Sequence, residues 1–113
     1  MPYERGDVIL IPFPFSDLSS AKQRPALVIS SQAFHRQSSD IVVCAITSQS
    51  PASLGSFEYL LSKDDLAGAG IPKPSKVKCG KIVTLDSRIV RKKLGQITPA
   101  TLSAILDIIH QAV

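Results

Sequence analysis

The chain has few of the residues on which metalloenzymes and extracellular scaffolds depend. Its 113 residues include two cysteines, two histidines and no tryptophan, and aromatic residues make up 5% of the sequence. Cys44 and Cys79 have neither C-x-x-C spacing nor a neighbouring histidine, so the sequence predicts no metal site, no cofactor and no cysteine nucleophile. We expect both to be reduced core thiols in a cytoplasmic protein.

Long apolar runs are also missing. Charged residues precede the first apolar run, Pro12 and Pro14 interrupt it, and no other run approaches the ~18 residues of a membrane helix. The sequence therefore predicts neither a signal peptide nor a membrane span. Its length is typical of a single domain, and we expect residues 1–113 to form one.

The common catalytic motifs are absent as well. The chain has no glycine-rich phosphate loop, no His-Glu metal pair and no Ser-His-Asp order. His35 and His110 each stand alone, and a lone histidine is more often structural or solvated than a general base. The sequence thus gives no support to the common cofactor-dependent enzymes and hydrolases.

Positive charge, by contrast, is concentrated in one part of the chain. The net charge is +4, yet residues 1–56 hold four basic and four acidic residues and balance to zero. A block of eight basic residues with Asp86 as its one acid favours a polyanionic partner, although a merely solvated face has the same composition. The basic residues of this block are Lys73, Lys76, Lys78, Lys81, Arg88, Arg91, Lys92 and Lys93.

Short apolar segments separated by turn residues follow one another along the chain. The segment Ile41–Thr47 is apolar nearly throughout, which predicts the central strand of a sheet. Ser62 and Asp65 have capping-box spacing and open one predicted helical turn that Gly68 and Gly70 close. Further predicted strands cover 6–15, 25–31, 57–61, 75–78 and 81–85, and a polar loop covers 16–23.

A terminal helix closes the chain. Thr98 is a good N-cap, Pro99 suits the first helical position, and apolar residues follow at helical spacing. Short strands with one closing helix predict a mainly β protein with a C-terminal α-helix, built as a small, strongly curved sheet or partly open barrel.

Two polar residues stand at the ends of predicted strands. Arg24 precedes Pro25, which restricts its backbone to an extended conformation, and Thr47 ends the central strand. A guanidinium and a hydroxyl at the rim of a β core suit a phosphate group. A surface arginine and a strand-end hydroxyl explain the same pattern without any function.

Four ordered segments resemble the MazF/PemK family of toxin endoribonucleases over essentially the whole chain. They begin at Arg5-Gly6-Asp7-Val8, Arg24-Pro25-Ala26-Leu27, Ala45-Ile46-Thr47-Ser48 and Lys81-Ile82-Val83-Thr84. The resemblance implies a small SH3-like or CcdB-like β-barrel with a C-terminal helix, a homodimer, and metal-independent cleavage of single-stranded RNA at short motifs. It also implies an acidic, largely disordered antitoxin that folds over the active groove.

The resemblance implies roles for individual residues. Arg24 matches the catalytic arginine and Thr47 the catalytic threonine, and the general base stays unassigned. This chain departs from the family pattern at two places. Many relatives have a glycine pair where this chain has Ala21-Lys22-Gln23, and some have an acidic residue and glutamine in place of Gly80-Lys81. The RNA sequence that relatives cleave therefore cannot be carried over to this chain. The residues expected to line the RNA groove are Asp17, Ser19, Lys22, Ser48, Gln49, Ser75, Lys78 and Lys81.

Two other functions stay open at this point. A CcdB-like toxin of the same barrel type poisons DNA gyrase without catalysis, and that activity resides in the terminal helix. A catalytically silent RNA-binding barrel needs only the basic block. Arg24 and Thr47 at matching positions favour the nuclease.

Overall fold

Six antiparallel strands form one sheet in the computed structural model, which describes residues 2–12 and 23–113. The strands occur in the order β4-β5-β3-β2-β1-β6, with the central position of β3 as predicted. The strands are β1 (Asp7–Pro12), β2 (Gln23–Val28), β3 (Asp40–Thr47), β4 (Glu58–Leu60), β5 (Lys76–Asp86) and β6 (Lys92–Gln96), and the helices are α1 (Gln32–Gln37), α2 (Lys63–Ala69) and α3 (Pro99–Ala112), with a 3₁₀ turn at Ser87–Ile89.

Alternate residues of the strands form two apolar layers, one on each face of the sheet. Because successive side chains of a strand point to opposite faces, Leu27 and Cys44 join the layer that packs against α3, whereas Ala26 and Ala45 join the other. The first layer also contains Ile105 of α3. Both layers are fully buried at their centres, so the sheet provides a rigid platform.

Strand β5 is continuous where the sequence predicted two strands. Its pairing with β3 shifts between Cys44, which lies opposite Ile82, and Ala45, which lies opposite Lys78. The extra residues 79–81 form a bulge at the predicted Cys79-Gly80 break, because a strand absorbs additional residues without ending. The backbone N–H of Cys79 donates to the carbonyl of Phe57, 2.9 Å away, and ties the bulge to the segment before β4.

The predicted mainly β fold with a C-terminal helix is confirmed, but the sheet is not closed into a barrel. In the described part of the chain, β4 and β6 are the two edges of the sheet and do not pair with each other. Strand β4 has three residues, and α2 packs against β6: a Cβ atom added to Gly95 would lie 2.1 Å from the carbonyl oxygen of Gly68. The helix therefore covers the edge that a closed barrel would pair with a strand.

The predicted helix boundaries are confirmed at their caps. Ser62 and Asp65 form the capping box of α2, and Gly70 ends this helix with φ 72°. The helix has seven residues and thus makes two turns where one was predicted. Thr98 caps α3, with its hydroxyl accepting from the backbone N–H of Thr101. Among the described residues, no helix has the length and apolar character needed to cross a membrane.

Both cysteines are free, buried thiols, as predicted. Burial raises the pKa of the Cys44 thiol far above its usual range and that of Cys79 to about 11. Neither sulfur is a thiolate at neutral pH, so both act as small apolar side chains.

Candidate active site

Arg24 and Thr47 lie in one row across the sheet. Strands β2 and β3 pair with Ala26 opposite Ala45 and Leu27 opposite Cys44, and continuing this antiparallel register by two residues places Arg24 opposite Thr47. On the other side of β3, Thr47 lies opposite Lys76. Side chains at paired positions share a face and approach within about 5 Å at Cβ, as Thr47 and Lys76 do, and Arg24 lies on the same face by the alternation of β2. We call Arg24, Thr47 and Lys76 the cation row.

Local structure holds both Thr47, in the middle of the row, and Arg24, at one end of it. Thr47 is 8% exposed, and its Oγ1 accepts a hydrogen bond of 3.1 Å from the backbone N–H of Gln49. Because that bond occupies a lone pair, the Thr47 hydroxyl proton stays available for a second partner. Arg24 is half-buried, and the following Pro25 restricts its backbone.

Lys76 is the member of the row that sequence reasoning missed. It is 6% exposed, and its Nζ lies 2.8 Å from Glu58 Oε1 and donates to the carbonyl oxygen of Ser53 at 2.7 Å. The bond from Lys76, aided by one from the backbone N–H of Gly55, lowers the pKa of Glu58. This ion pair fastens the segment between β3 and β4 beside Thr47. The sequence does show that Lys76 and Lys78 alternate with the apolar Val77 and Cys79, so both lysines share one face of a strand. The pairing of β5 with β3 was needed to place Lys76 beside Thr47.

A cavity of about 210 Å³ brings together predicted residues from three segments. Arg24, Ser48 and Ser75 line it, with Lys73 contributing a cation. Ser75 is buried, and its hydroxyl donates to the carbonyl of Lys73 at 3.0 Å, which fixes the entry to β5. We call this space the rim cavity.

A second cavity, of about 410 Å³, lies beside β4 and the bulge of β5. Lys78 and Lys81, both predicted RNA-binding residues, line it together with Phe57 and Glu58. Lys78 is opposite Glu58 in the sheet, with 3.8 Å between its Nζ and Glu58 Oε2. We call this space the bulge cavity; its complete lining is Gly55, Ser56, Phe57, Glu58, Lys78, Gly80 and Lys81.

Of the other predicted groove residues, only Gln49 belongs to the part of the chain that the structure describes. Gln49 is exposed in the segment after β3 and touches the row through its backbone. Asp17, Ser19 and Lys22, like the Ala21-Lys22 departure, lie outside the described residues.

The basic block is not one uniform surface. Lys93 Nζ lies 3.2 Å from Oδ1 of buried Asp7, and Arg88 pairs with Asp86 at 2.8 Å, which lowers the pKa of that carboxyl. Lys92 and Lys93 belong to β6, which pairs with β1. These two lysines therefore lie on the edge strand that directly precedes α3.

Metal ligands are not grouped in the described ranges 2–12 and 23–113. These residues contain no set of three or more histidine, cysteine, aspartate or glutamate side chains placed to hold an ion. The charged groups at the site are cations and one ionised carboxylate.

The fold and the site define a class of small, basic β proteins in which cations line one end of an antiparallel sheet. The sequence profile of the PemK-like, MazF-like toxins of type II toxin-antitoxin systems matches residues 4–113. The chain belongs to this family. A search of curated protein sequences found no match.

Solved structures share the fold across nearly the whole chain. A mycobacterial endoribonuclease in complex with its cognate antitoxin has a TM-score of 0.77 at 24% identity, covering 97% of this chain and 93% of that one. The Mycobacterium tuberculosis toxin MazF-mt6 gives 0.73 at 19% identity, with 94% of each chain covered. MazF in a MazE-MazF complex from Deinococcus radiodurans gives 0.71 at 22%, covering 97% and 92%.

Proposed function

We propose that residues 1–113 form a single toxin domain that cleaves single-stranded RNA with the substrate's own 2′-hydroxyl as nucleophile. The observation that carries this proposal is the cation row, in which Arg24 and Lys76 flank the Thr47 hydroxyl on one face of the sheet. Family membership and an endoribonuclease among the solved relatives support the reaction class.

The reaction builds negative charge at phosphorus. The 2′-oxygen forms a bond to phosphorus, the bond to the 5′-oxygen breaks, one proton leaves the 2′-hydroxyl, and the 5′-oxygen gains one. The products end in a 2′,3′-cyclic phosphate and a 5′-hydroxyl. Groups that stabilise the non-bridging oxygens of this transition state accelerate the step most.

Each member of the row has a role in this scheme. Arg24 offers two parallel N–H donors to the non-bridging oxygens, and Thr47 donates its hydroxyl proton to one of them. Lys76 adds positive charge while its bonds to Glu58 and Ser53 keep the neighbouring segment in place. Arg24 serves by electrostatic stabilisation, since a guanidinium stays protonated and is a poor proton acceptor.

The toxin's partner in this proposal is an acidic antitoxin segment that occupies the RNA surface. Both ligands carry spaced negative charge, so Lys73, Lys78 and Lys81 attract either one. Two solved relatives were crystallised as complexes, one with its cognate antitoxin and one as MazE-MazF, which supports an antitoxin partner. We expect RNA and an acidic antitoxin peptide to compete, and the toxin to be a homodimer by light scattering.

Incubation with a long single-stranded RNA in the presence of EDTA tests the proposal. We expect cleavage, and a substrate with a 2′-deoxy sugar at the cleaved position should survive. Normal cutting of that substrate would make water the nucleophile and overturn the mechanism. Binding without cleavage would indicate a silent RNA-binding protein, and neither binding nor cleavage would favour the gyrase poison.

A further inference from the structure

The bulge cavity combines an aromatic ring, an ionised carboxylate and two lysines. Phe57 is 43% exposed although it is a large apolar side chain, and its backbone carbonyl is fixed by Cys79. Every base has a π face, and stacking of bases on exposed aromatic rings is the usual way in which proteins hold single-stranded nucleic acid. The lysines attract the phosphates on either side of such a base.

The two carboxylate oxygens of Glu58 differ in how closely other groups of the protein contact them. Oε1 accepts from Lys76 Nζ and from the backbone N–H of Gly55, each at 2.8 Å. Oε2 has Lys78 Nζ at 3.8 Å, beyond hydrogen-bond length. Because Lys76 lowers the pKa of Glu58, this oxygen is an acceptor at neutral pH and pairs with an N–H donor of a ligand.

We propose that the bulge cavity binds one base of the RNA strand, stacked on Phe57, and that Glu58 Oε2 selects a base with an exocyclic amino group over uracil. The amino groups of cytosine, adenine and guanine can each donate to Oε2. Uracil has no amino group, and its ring N3–H lies between two carbonyl oxygens that repel a carboxylate. This proposal rests on the proposed ribonuclease function and adds a determinant of its sequence preference.

The cavity lies at the right distance from the cation row for a base close to the reactive phosphate. Lys78 follows Lys76 by two residues on the same face of β5, so the two positions are separated by about 7 Å along the strand. Gly80 leaves the cavity open, since a Cβ atom added there would have no atom within 4 Å. One strand of RNA can therefore contact the row and the cavity together.

Removal of the ring is the first test, measured as binding of 2′-O-methyl RNA oligonucleotides that cannot be cleaved. Phe57→Ala should weaken binding about 5- to 150-fold, the range measured for loss of one stacked base. Phe57→Trp should restore it. Phe34→Ala is a matched control, because Phe34 is 37% exposed but belongs to α1, outside the cavity.

Two further variants test the cavity and its selectivity. Gly80→Leu should fill the space with an unchanged melting temperature and reduce RNA affinity as Phe57→Ala does. Glu58→Gln should reduce the preference for amino-bearing bases, because an amide also offers a donor that suits uracil. The preference is measured by sequencing the cleavage products of a randomised RNA pool. The frequencies of cytosine, adenine, guanine and uracil are compared at one position relative to the cleaved bond.

The outcomes separate this proposal from the one on which it rests. If wild type cleaves RNA but Phe57→Ala and Gly80→Leu leave affinity and product sequences unchanged, the base site is wrong and the ribonuclease stands. If wild type neither binds nor cleaves RNA, the ribonuclease proposal fails first. If Phe57→Ala loses an acidic antitoxin peptide but keeps its RNA affinity, the cavity is a protein-binding site and the proposal is overturned.

Discussion

Strands β2 and β3 end in a buried hydroxyl at both ends of their pairing, and the two hydroxyls differ in what surrounds them. Thr47 is 8% exposed beside Arg24 and Lys76, and Ser30 is 7% exposed at the opposite end. Ser30 Oγ accepts from the backbone N–H of Val42 at 3.0 Å and lies 2.5 Å from His35 Nε2.

The charge of the neighbouring groups distinguishes the Ser30 hydroxyl, which has a structural role, from the Thr47 hydroxyl, which is the catalytic candidate. Burial lowers the pKa of His35, so its ring is neutral at pH 7, and in the tautomer with an unprotonated Nε2 the ring accepts a hydrogen bond from the Ser30 hydroxyl. Both capacities of the Ser30 hydroxyl are thus used within the protein, while the Thr47 hydroxyl keeps its proton beside two cations. Burial alone does not distinguish these two ends, and the predictions below change either one of them or the cations elsewhere on the sheet.

The largest effect is expected at the cation row. Arg24→Ala and Thr47→Ala should each reduce RNA cleavage about 10²- to 10³-fold with little change in melting temperature, because a transition-state donor is lost. Arg24→Lys should recover part of the rate, since lysine keeps the charge but not the planar fork. Single-turnover cleavage of a defined RNA measures these rates.

Ser30→Ala provides the control at the other end. It leaves the N–H of Val42 and the ring of His35 without their hydroxyl partner and should cost about 1–3 kcal/mol of stability. Cleavage by its folded fraction should equal that of wild type. Full activity in Arg24→Ala, or lost activity in well-folded Ser30→Ala, would reverse the assignment of the two ends.

The second effect concerns the ion pair between Lys76 of the cation row and Glu58. Lys76→Met leaves the partly buried Glu58 without its main partner and should cost about 1–3 kcal/mol in the free energy of unfolding, since Lys78 and the N–H of Gly55 remain beside it. Adding Glu58→Leu removes the stranded charge, so the double variant should regain much of that stability in urea denaturation. Its cleavage should stay low, because the row still lacks the cation. Recovered cleavage would reduce Lys76 to a structural role.

Local patterns predicted most of the secondary structure. The unbroken apolar run identified β3, and the caps at Ser62 and Thr98 located α2 and α3, because these signals depend on near neighbours in sequence. Helix α1 was missed, since its six residues carry no apolar periodicity and depend on the Ser31 cap and the His35 contact. Strand β6 was missed because its five residues include two lysines, a glycine and a glutamine, and the reason for glycine at position 95 is the close contact with α2.

The candidate site likewise contains some residues that local sequence suggested and others that only the fold revealed. Arg24 and Thr47 are suggested by proline restriction and by the end of an apolar run, and the pairing register then places them in one row. Lys76 and the bulge cavity depend on the register shift between β3 and β5, which no short segment specifies. Interactions that combine distant segments were therefore the part that sequence reasoning could not supply.

The third effect compares the cations of β5, which pairs with the edge strand β4, with a cation of the other edge strand, β6. Lys78→Glu and Lys81→Glu should reduce RNA and antitoxin affinity together, and each neutral Lys→Ala change should reduce the salt dependence of RNA binding by about 0.7 in the log-log slope per lost phosphate contact. Lys92→Glu, on β6, should matter much less. Lys93→Glu is unsuitable as a control, because it would place a second carboxylate beside buried Asp7 and destabilise the fold. Loss of RNA binding in Lys92→Glu alone would move the groove to the β6 edge.

The smallest effect is a pH dependence confined to the Ser30 end. Burial is the main reason that the pKa of His35 lies below its ordinary value of 6.5, with Arg5 adding to it, while Asp7 and a hydrogen bond to the backbone of Tyr3 oppose it. The unfolded chain then binds more protons, so His35 stabilises the fold fully above pH 6.5 and loses that contribution as pH falls toward its folded value.

His35→Gln should flatten this slope in urea unfolding below pH 6.5, while His110→Gln, exposed near the end of α3, should keep it. Cleavage at pH 7.5 should be equal in both variants, because neither changes the cation row. A cleavage rate that follows the His35 titration at constant stability would instead couple the two ends of the sheet, and the neutral imidazole would then belong to the reaction and not to the fold alone.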